Sequence, residues 1–327
     1  MSNSKNNKKT IEKSEIMRYI KWTPLAIVFS LIVFFVTGCK NNDNNMVSSI
    51  NPQSQPNAAA TQDVLYSISA NVAIDNSGVL EEMSDALQTA SVSGIVNEDD
   101  NNMMNFGHNH KNVTKQYDST SGWWTVTVTR LRGNMMGFYY ADYSRVYKDQ
   151  FLNKDGQFQK FYIVPNGSTF DTAYTFNHKI VSGNGILKTP KVSHQLTGLS
   201  GAWTVIGTNT PIVTLNSTAP YVRSVSDTVS RNGAVRTLNG TLTLNFTNIT
   251  GPRGSGLNWH RKTSGTITGT YHAVVTFQKG ATYTETTIDR IIDITLGGQK
   301  IPVRIKGLSE TNGTTFYIDA ETGDIIN

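Results

Sequence analysis

From about residue 122 to the end of the chain, apolar and polar residues alternate with a period of two. Clear examples are the apolar series Leu242, Leu244, Phe246 and Ile301, Val303, Ile305. Alternation of this kind is typical of strands with one face in the core and one in water. Gly, Pro and Asn-Gly pairs separate the runs, and no helical pattern intervenes. The sequence therefore predicts an all-β, antiparallel domain over residues 121–327.

A helical pattern precedes the strands. Over residues 63–92 the apolar residues recur every three or four positions, as in Val64, Leu65, Ile68, Val72 and then Leu80, Met83, Leu87. Asn76-Ser77-Gly78 interrupts the series. This spacing predicts two short amphipathic helices. We expect them to form, with the polar loop at 97–116, a helical prelude over residues 63–120.

The apolar faces of the predicted strands need a cover. Two short helices provide only narrow apolar stripes, which we expect to be too small for a large sheet. The sheet should therefore fold over on itself as a sandwich or a barrel, or leave a groove. Self-closure is favoured because large exposed apolar patches are rare on soluble domains unless they bind something.

The N-terminal segment has the pattern of a targeting signal. A basic stretch is followed by the apolar run 25–36, which ends in Val36-Thr37-Gly38-Cys39. The run fits a signal-peptide core and is short for a membrane-spanning helix. The tetrapeptide resembles the lipobox of bacterial lipoprotein precursors. The resemblance implies cleavage of residues 1–38 and lipid attachment, including an acyl chain such as palmitate, at Cys39. The alternatives are an uncleaved N-terminal anchor and a chance cysteine after a simple secretory signal.

Removal of this signal peptide changes the charge and chemistry of the mature chain. The full sequence has 29 Lys and Arg against 24 Asp and Glu, and residues 1–38 contain six and two of these, which leaves 23 against 22. A nearly neutral domain predicts no nucleic-acid partner. Cys39 is the only cysteine, so neither a disulfide nor cysteine-ligated zinc is predicted. The residue after Cys39 is Lys40. An Asp at this position would resemble an inner-membrane retention signal, so the lysine favours the outer membrane.

Residues 39–62 have no apolar period. They are rich in Asn, Ser and Pro, a composition that favours disorder. We expect a flexible tether that joins the covalent lipid on Cys39 to the folded domain in the bacterial cell envelope.

The polar faces of the predicted strands carry Thr, Ser and Asn in place of Lys and Glu. Such an uncharged face could be solvated, could contact a glycan, or could dock another protein. Trp123 and Trp124 begin the first strand, and adjacent strand residues face opposite ways. One of the two should lie in the core, while the other could stack on a sugar ring.

Candidate chemistry is sparse. His108 and His110 have a spacing that could hold a metal in an extended segment, but their polar, Asn-rich loop favours solvated histidines over a metal site, and we predict no metal and no cofactor. His178, His194, His260 and His272 fall on or beside predicted strands. None of the usual hydrolase, metalloprotease or phosphate-loop motifs is present.

Two further patterns concern modification and fold. Asp118-Ser119, Asp171-Thr172 and Asp227-Thr228 each precede a Thr, Ala or Val, and resemble O-glycosylation sites of some envelope-rich bacteria, with Ser119, Thr172 and Thr228 as acceptors. The segment 316–326 resembles the closing strand pair of PepSY-type domains. Because its Asp-x-x-Thr-Gly sequence is also a good turn, no function is transferred from that resemblance.

Three functional hypotheses follow. The first is a lipid-anchored envelope lipoprotein with a non-catalytic binding or structural role, with a glycan, a lipid or another envelope protein as possible partner. The second is a carrier that holds a lipid or other amphiphile on an open apolar sheet face. The third is an envelope hydrolase, which would require histidine and carboxylate side chains that converge in a cleft.

Overall fold

The computed structural model describes residues 55–90, 104–106, 109–133, 137–190, 192–231, 233–253 and 259–326. Residues 56–327 form one compact unit. The predicted all-β antiparallel fold is confirmed, because nearly all regular structure after the first two helices is strand. In the part of the chain described, no helix is long and apolar enough to cross a membrane.

Two helices come first, α1 (Gln55–Val72) and α2 (Val79–Thr89), and a short 3-10 helix spans Trp259–Lys262. The strands are β1 Met104–Phe106, β2 Asn109–Asp118, β3 Trp123–Gly133, β4 Tyr140–Leu152, β5 Phe158–Gln159, β6 Ile163–Asn166, β7 Thr169–Thr172, β8 Thr175–Lys188, β9 Val192–Ile206, β10 Ile212–Arg231, β11 Ala234–Pro252, β12 Ser264–Lys279, β13 Thr282–Leu296, β14 Lys300–Gly307, β15 Thr314–Asp319 and β16 Ile325–Ile326.

All the strands except one hairpin belong to a single 14-stranded sheet. Strand order follows chain order through β1-β2-β3-β4, continues with β8 to β16, and has β5 at the side of β4. Strands β6 and β7 form a separate, largely exposed hairpin. In the described residues β1 and β16 are the two ends of the order, so the sheet is open and does not close into a barrel.

The apolar face of the sheet is covered by the helices. Side chains of α1 and α2 reach Arg130 on β3, Arg223 on β10 and Tyr271 on β12. Laid flat, strands β3 to β15 would extend about 40 Å at roughly 4.8 Å per strand, about twice the width of two helices. The sheet must therefore curve around the helices. Curvature lets two short helices cover more of the apolar face than they could cover on a flat sheet.

Irregularities in the ladders accompany this curvature. The β10–β11 register shifts between Leu215 and Tyr221, and the β9–β10 register shifts in the same region. Bulges of this kind bend a strand and increase its twist. The bend lies in β10, one of the longest strands. A straight strand of this length would extend beyond the two helices, and the bend keeps its inner face close to them.

Two predicted boundaries were wrong. Helix α1 begins at Gln55, inside the segment predicted as tether, because Ala58, Ala59 and Ala60 have high helix propensity and Pro56 is tolerated in a first turn. Strands β1 and β2 occupy part of the predicted polar loop. Val113 and Tyr117 are the only large apolar residues of β2, which made this strand hard to recognise.

The turn between the helices is tightly fixed. Ser77 has a φ of 54°, and Gly78 donates its backbone N–H to the Ala73 carbonyl oxygen at 2.8 Å. Backbone N–H groups of Ile74 and Asp75 donate to carbonyl oxygens just after β15, at 3.0 and 2.8 Å. The helical hairpin is thus joined by backbone hydrogen bonds to the last part of the sheet.

Candidate functional site

Three buried arginines lie in phase with the apolar residues of their strands. Arg130 follows Trp124, Val126 and Val128 on the inner face of β3, while Arg145 and Arg223 take equivalent inner positions on β4 and β10. All three are at least nine-tenths buried. Buried charges are expensive unless they are paired, so their partners decide what this cluster does.

The partners come from the first turn of α2. Glu82 accepts from Arg145 at 3.0 Å and from Arg223 at 3.3 Å, and its side chain is fully buried. Glu81 pairs with Arg130 and with the half-buried Arg132. Carboxylates are also favoured near the positive end of a helix dipole. This set of residues, Glu81, Glu82, Arg130, Arg132, Arg145 and Arg223, is called the arginine cluster below.

Further polar contacts extend the cluster along both helices. Arg130 donates to both carboxylate oxygens of Asp85, at 2.6 and 2.5 Å. The Nε of Arg223 donates to Asn71 Oδ1 at 2.7 Å, and its Nη1 donates to the Ser77 carbonyl oxygen at 3.1 Å. The arginines therefore connect both helices to strands that are far apart in the sheet.

The pKa values follow from this burial and pairing. Burial is the largest single effect on Arg145 and lowers its pKa, but the charges of Glu82, Tyr147, Tyr221 and Asp85 together outweigh burial, and the net pKa is raised. Burial lowers the pKa of Arg130 to about 9, which still leaves it protonated at neutral pH. Burial also raises the pKa of Tyr147 and of Tyr221, so both phenols stay neutral.

A second buried set has the composition of a hydrolase triad but not its geometry. Asp227 accepts from Ser67 through one oxygen and lies 2.5 Å from His194 Nδ1 through the other. In a triad the histidine lies between the serine and the acid, whereas here the aspartate does. His194 Nε2 faces Arg223 at 3.2 Å. This arrangement cannot remove a proton from Ser67 through histidine, and it fixes α1 to the sheet instead.

The outer face of the sheet carries mainly uncharged polar side chains over β10, β11 and β12. Cross-strand contacts include Ser226 to Asn239 at 2.7 Å and Ser224 to Thr241 at 3.3 Å. We call this surface the hydroxyl face; its central members are Ser224, Ser226, Asn239, Thr241, Thr243, Asn245, Thr266, Thr268 and Thr270. These residues are exposed or half-buried, and the predicted polarity of the face is confirmed.

The two tryptophans fall on opposite faces, as expected. Trp124 is fully buried, packs against Tyr117 with ring centroids 4.9 Å apart and donates its indole N–H to the Lys160 carbonyl oxygen at 2.6 Å. A glycan cannot reach Trp124, because its ring belongs to the core. Trp123 is half-buried and is the one member of the pair that could contact a sugar.

The three candidate acceptors for glycosylation lie in different settings. Ser119 is exposed in the turn between β2 and β3, and Thr172 is half-buried on the protruding β6–β7 hairpin. Thr228 lies within β10, and the preceding Asp227 is fully buried. An enzyme that reads the Asp-Thr-Val sequence could not reach that aspartate in the folded chain.

The histidines are separated. His108 lies outside the described residues, and His110 on β2 pairs with Leu131 of β3 and Asn105 of β1. His178 and His194 are buried on the inner face, whereas His272 is exposed and lies 2.7 Å from Asp289. The described residues contain no group of three or more His, Cys, Asp or Glu side chains that could hold a metal. Cys39 lies outside the described residues.

The chain matches no known family, no curated protein and no solved structure. The site therefore has to be interpreted from its own geometry.

Sequence reasoning missed the arginine cluster, although a signal for it was present. Each of the three buried arginines is separated by two positions from an apolar residue on the same strand face, as Arg223 is from Tyr221 and Val225. A charged residue in phase with an inward series has to be buried, and it therefore predicts a buried partner of opposite charge. Glu81 and Glu82, adjacent carboxylates in the first turn of a predicted helix, were the available partners.

Proposed function

We propose that this chain is a lipid-anchored lipoprotein of the bacterial cell envelope, and that its β domain has a non-catalytic binding or structural role. The observation that carries the non-catalytic part is the arrangement of Ser67, Asp227 and His194. These groups, which could do acid–base chemistry, are buried and bonded in an order that connects α1 to the sheet.

The hydroxyl face supports a role at the outer surface of the domain. Its side chains offer many hydrogen-bond donors and acceptors and few charges, a chemistry that suits a glycan or another polar, extended surface. We infer that partners of this protein contact the hydroxyl face.

The covered inner face favours this role over that of an amphiphile carrier. A carrier needs an apolar concave face that its cargo can enter, but the buried apolar residues of α1 and α2 pack into the same core cluster as those of the sheet. A bound lipid would have to displace the helical hairpin together with the ion pairs of the arginine cluster.

Replacement of Cys39 by alanine should abolish lipid attachment. Expressed in a bacterium, the unaltered chain should incorporate labelled fatty acid, because Cys39 ends a signal with the features of a lipobox, and the C39A variant should incorporate none. Labelling that persists in C39A would refute the anchoring proposal. Circular dichroism of both proteins provides the control for intact folding.

Lysine substitutions on the hydroxyl face should weaken partner binding. Thr268→Lys and Thr270→Lys place charges at exposed positions, so the fold should be unaffected. A lysine charge buried without a partner at the interface costs binding free energy. We expect the amount of partner bound to fall by about tenfold or more, which corresponds to a loss of about 1.4 kcal/mol. Crosslinking in intact cells measures binding to neighbouring proteins. Co-sedimentation with isolated envelope polysaccharide measures binding to glycan. Ser168→Lys, on the exposed β6–β7 turn, is the matched control. Equal capture by all variants would contradict the role of this face.

A further inference from the structure

A row of three aromatic side chains on the inner face carries polar atoms that have no partner among the described residues. They are the Tyr147 hydroxyl, the His178 Nε2 and the Trp203 Nε1, and each belongs to a side chain at most 2% exposed. Native proteins pair the large majority of buried polar atoms with protein groups or with ordered molecules. Because the three residues are neighbours in the sheet, we ask whether one bound group could pair with all three atoms.

The three rings are contiguous. Tyr147, His178 and Trp203 lie on β4, β8 and β9, which are adjacent in the sheet. The ring centroids of Tyr147 and His178 are 4.7 Å apart, and those of His178 and Trp203 are 5.4 Å apart and nearly parallel. Phe246 packs against Trp203 at 5.0 Å. The three rings thus form a row on the inner face, and each presents one buried polar atom that has no partner among the described residues.

The hydrogen bonds already made define what is missing. His178 Nδ1 lies 2.6 Å from Asp149 Oδ1, in a pair that is almost fully buried. Because the carboxylate accepts, Nδ1 carries a proton, and Nε2 accepts in the neutral ring or donates in the charged one. The indole N–H of Trp203 can only donate, and the Tyr147 hydroxyl can do both. The missing group must therefore accept, and an oxygen that can also donate satisfies all three.

We propose that Tyr147, His178 and Trp203 form an internal binding site for a small oxygen group, either ordered water or the hydroxyl of a small polar molecule. Buried water commonly makes about three hydrogen bonds to such groups. Arg145, a member of the arginine cluster, lies two residues before Tyr147 on the same buried face of β4. The site is distinct from the hydroxyl face and does not depend on the proposed function.

A Tyr→Phe series tests the site in the full chain. If an oxygen is bound, Tyr147→Phe removes one of its hydrogen bonds and should lower the folding equilibrium constant by about tenfold. If nothing is bound, removal of an unpaired buried hydroxyl leaves that constant equal or raises it. Chemical denaturation measures the change.

Two other tyrosines calibrate the result. Tyr271→Phe removes a buried hydroxyl that is 2.9 Å from Ser67 Oγ, and it should show the loss expected for a real hydrogen bond. Tyr317→Phe removes the hydroxyl of a tyrosine that is 44% exposed and should change little. A Tyr147 variant that behaves like Tyr317→Phe, or is more stable than the unaltered chain, would overturn the proposal.

Two measurements identify the occupant when Tyr147→Phe is destabilising. Native mass spectrometry that finds a small molecule bound one to one, and lost in Tyr147→Phe, supports a polar ligand. An unchanged mass together with a nuclear Overhauser effect between the Trp203 indole proton and water supports ordered water.

Discussion

Replacement of Glu82 by glutamine is expected to lower the free energy of unfolding by about 3–5 kcal/mol, the usual result of removing one partner from a buried ion pair. The substitution keeps the shape of the side chain and removes only its charge. Arg145 and Arg223 would then remain in the core without the carboxylate that accepts from both. Urea denaturation of the variant and the unaltered chain measures the difference.

The matched control is an exposed pair of the same chemistry. Asp293 accepts from Arg304, which is 48% exposed, and Asp293→Asn should lower the free energy of unfolding by no more than about 1 kcal/mol because solvent screens the pair. If Glu82→Gln and Asp293→Asn had the same small effect, Glu82 would not be essential for keeping the arginines in the core.

Replacement of Gly78 by alanine should destabilise the protein by about 3 kcal/mol or more, at or above the upper end of the usual penalty for overpacking. A Cβ atom at Gly78 would lie 2.5, 2.6 and 2.7 Å from backbone atoms of Val72, Asn71 and Ala73. Backbone cannot move aside as a side chain can, so the turn between the helices would open. Thermal denaturation and the circular dichroism signal of the helices measure the loss.

Gly198→Ala is the control for this substitution. A Cβ there would meet its nearest neighbour, Ser224 Cβ, at 3.6 Å, which is ordinary contact, and the change should leave stability within about 1 kcal/mol. Equal loss in both variants would mean that glycine flexibility, and not the close approach at the helix turn, controls the response.

The sheet and the apolar faces of the helices could be predicted from sequence because each is a local pattern. The series Leu242, Leu244 and Phe246 is buried on one face of β11, and Val64, Leu65 and Ile68 are buried on one face of α1. Alternation and helical spacing identify which residues face inward without any knowledge of their partners. The turn at Asp319, whose Oδ1 accepts from Glu321 and Thr322 backbone N–H groups, was also readable from its residues.

The arrangement of these elements could not be predicted in the same way. Whether a sheet closes on itself or curves around a helical hairpin depends on contacts between residues far apart in the chain, such as Ser67 with Asp227 and Asn71 with Arg223. Edge strands were missed for a related reason. Strand β2 is defined by its pairing with β3, and its own residues, rich in Asn, Lys and Gln, have low strand propensity.

This architecture separates the interior from the outer surface. The interior contains the arginine cluster and the Asp227–His194 pair, which connect the helices to the sheet, while the outer surface presents the hydroxyl face. A domain built in this way would use its interior for stability and its exterior for contact. The proposal therefore depends on the helical hairpin being a permanent part of the core and not a removable cover.

Native-state hydrogen exchange tests that point most directly, because it reports the opening free energy of each element separately. If α1 and α2 are integral to the core, buried amides of α2 should exchange with the same opening free energy as those in the centres of β10 and β11, at the value for global unfolding. If the amides of α2 instead exchange at a free energy about 2 kcal/mol or more below that of the strands, the hairpin opens while the sheet persists. The inner face would then be accessible, and the carrier hypothesis would replace the one proposed.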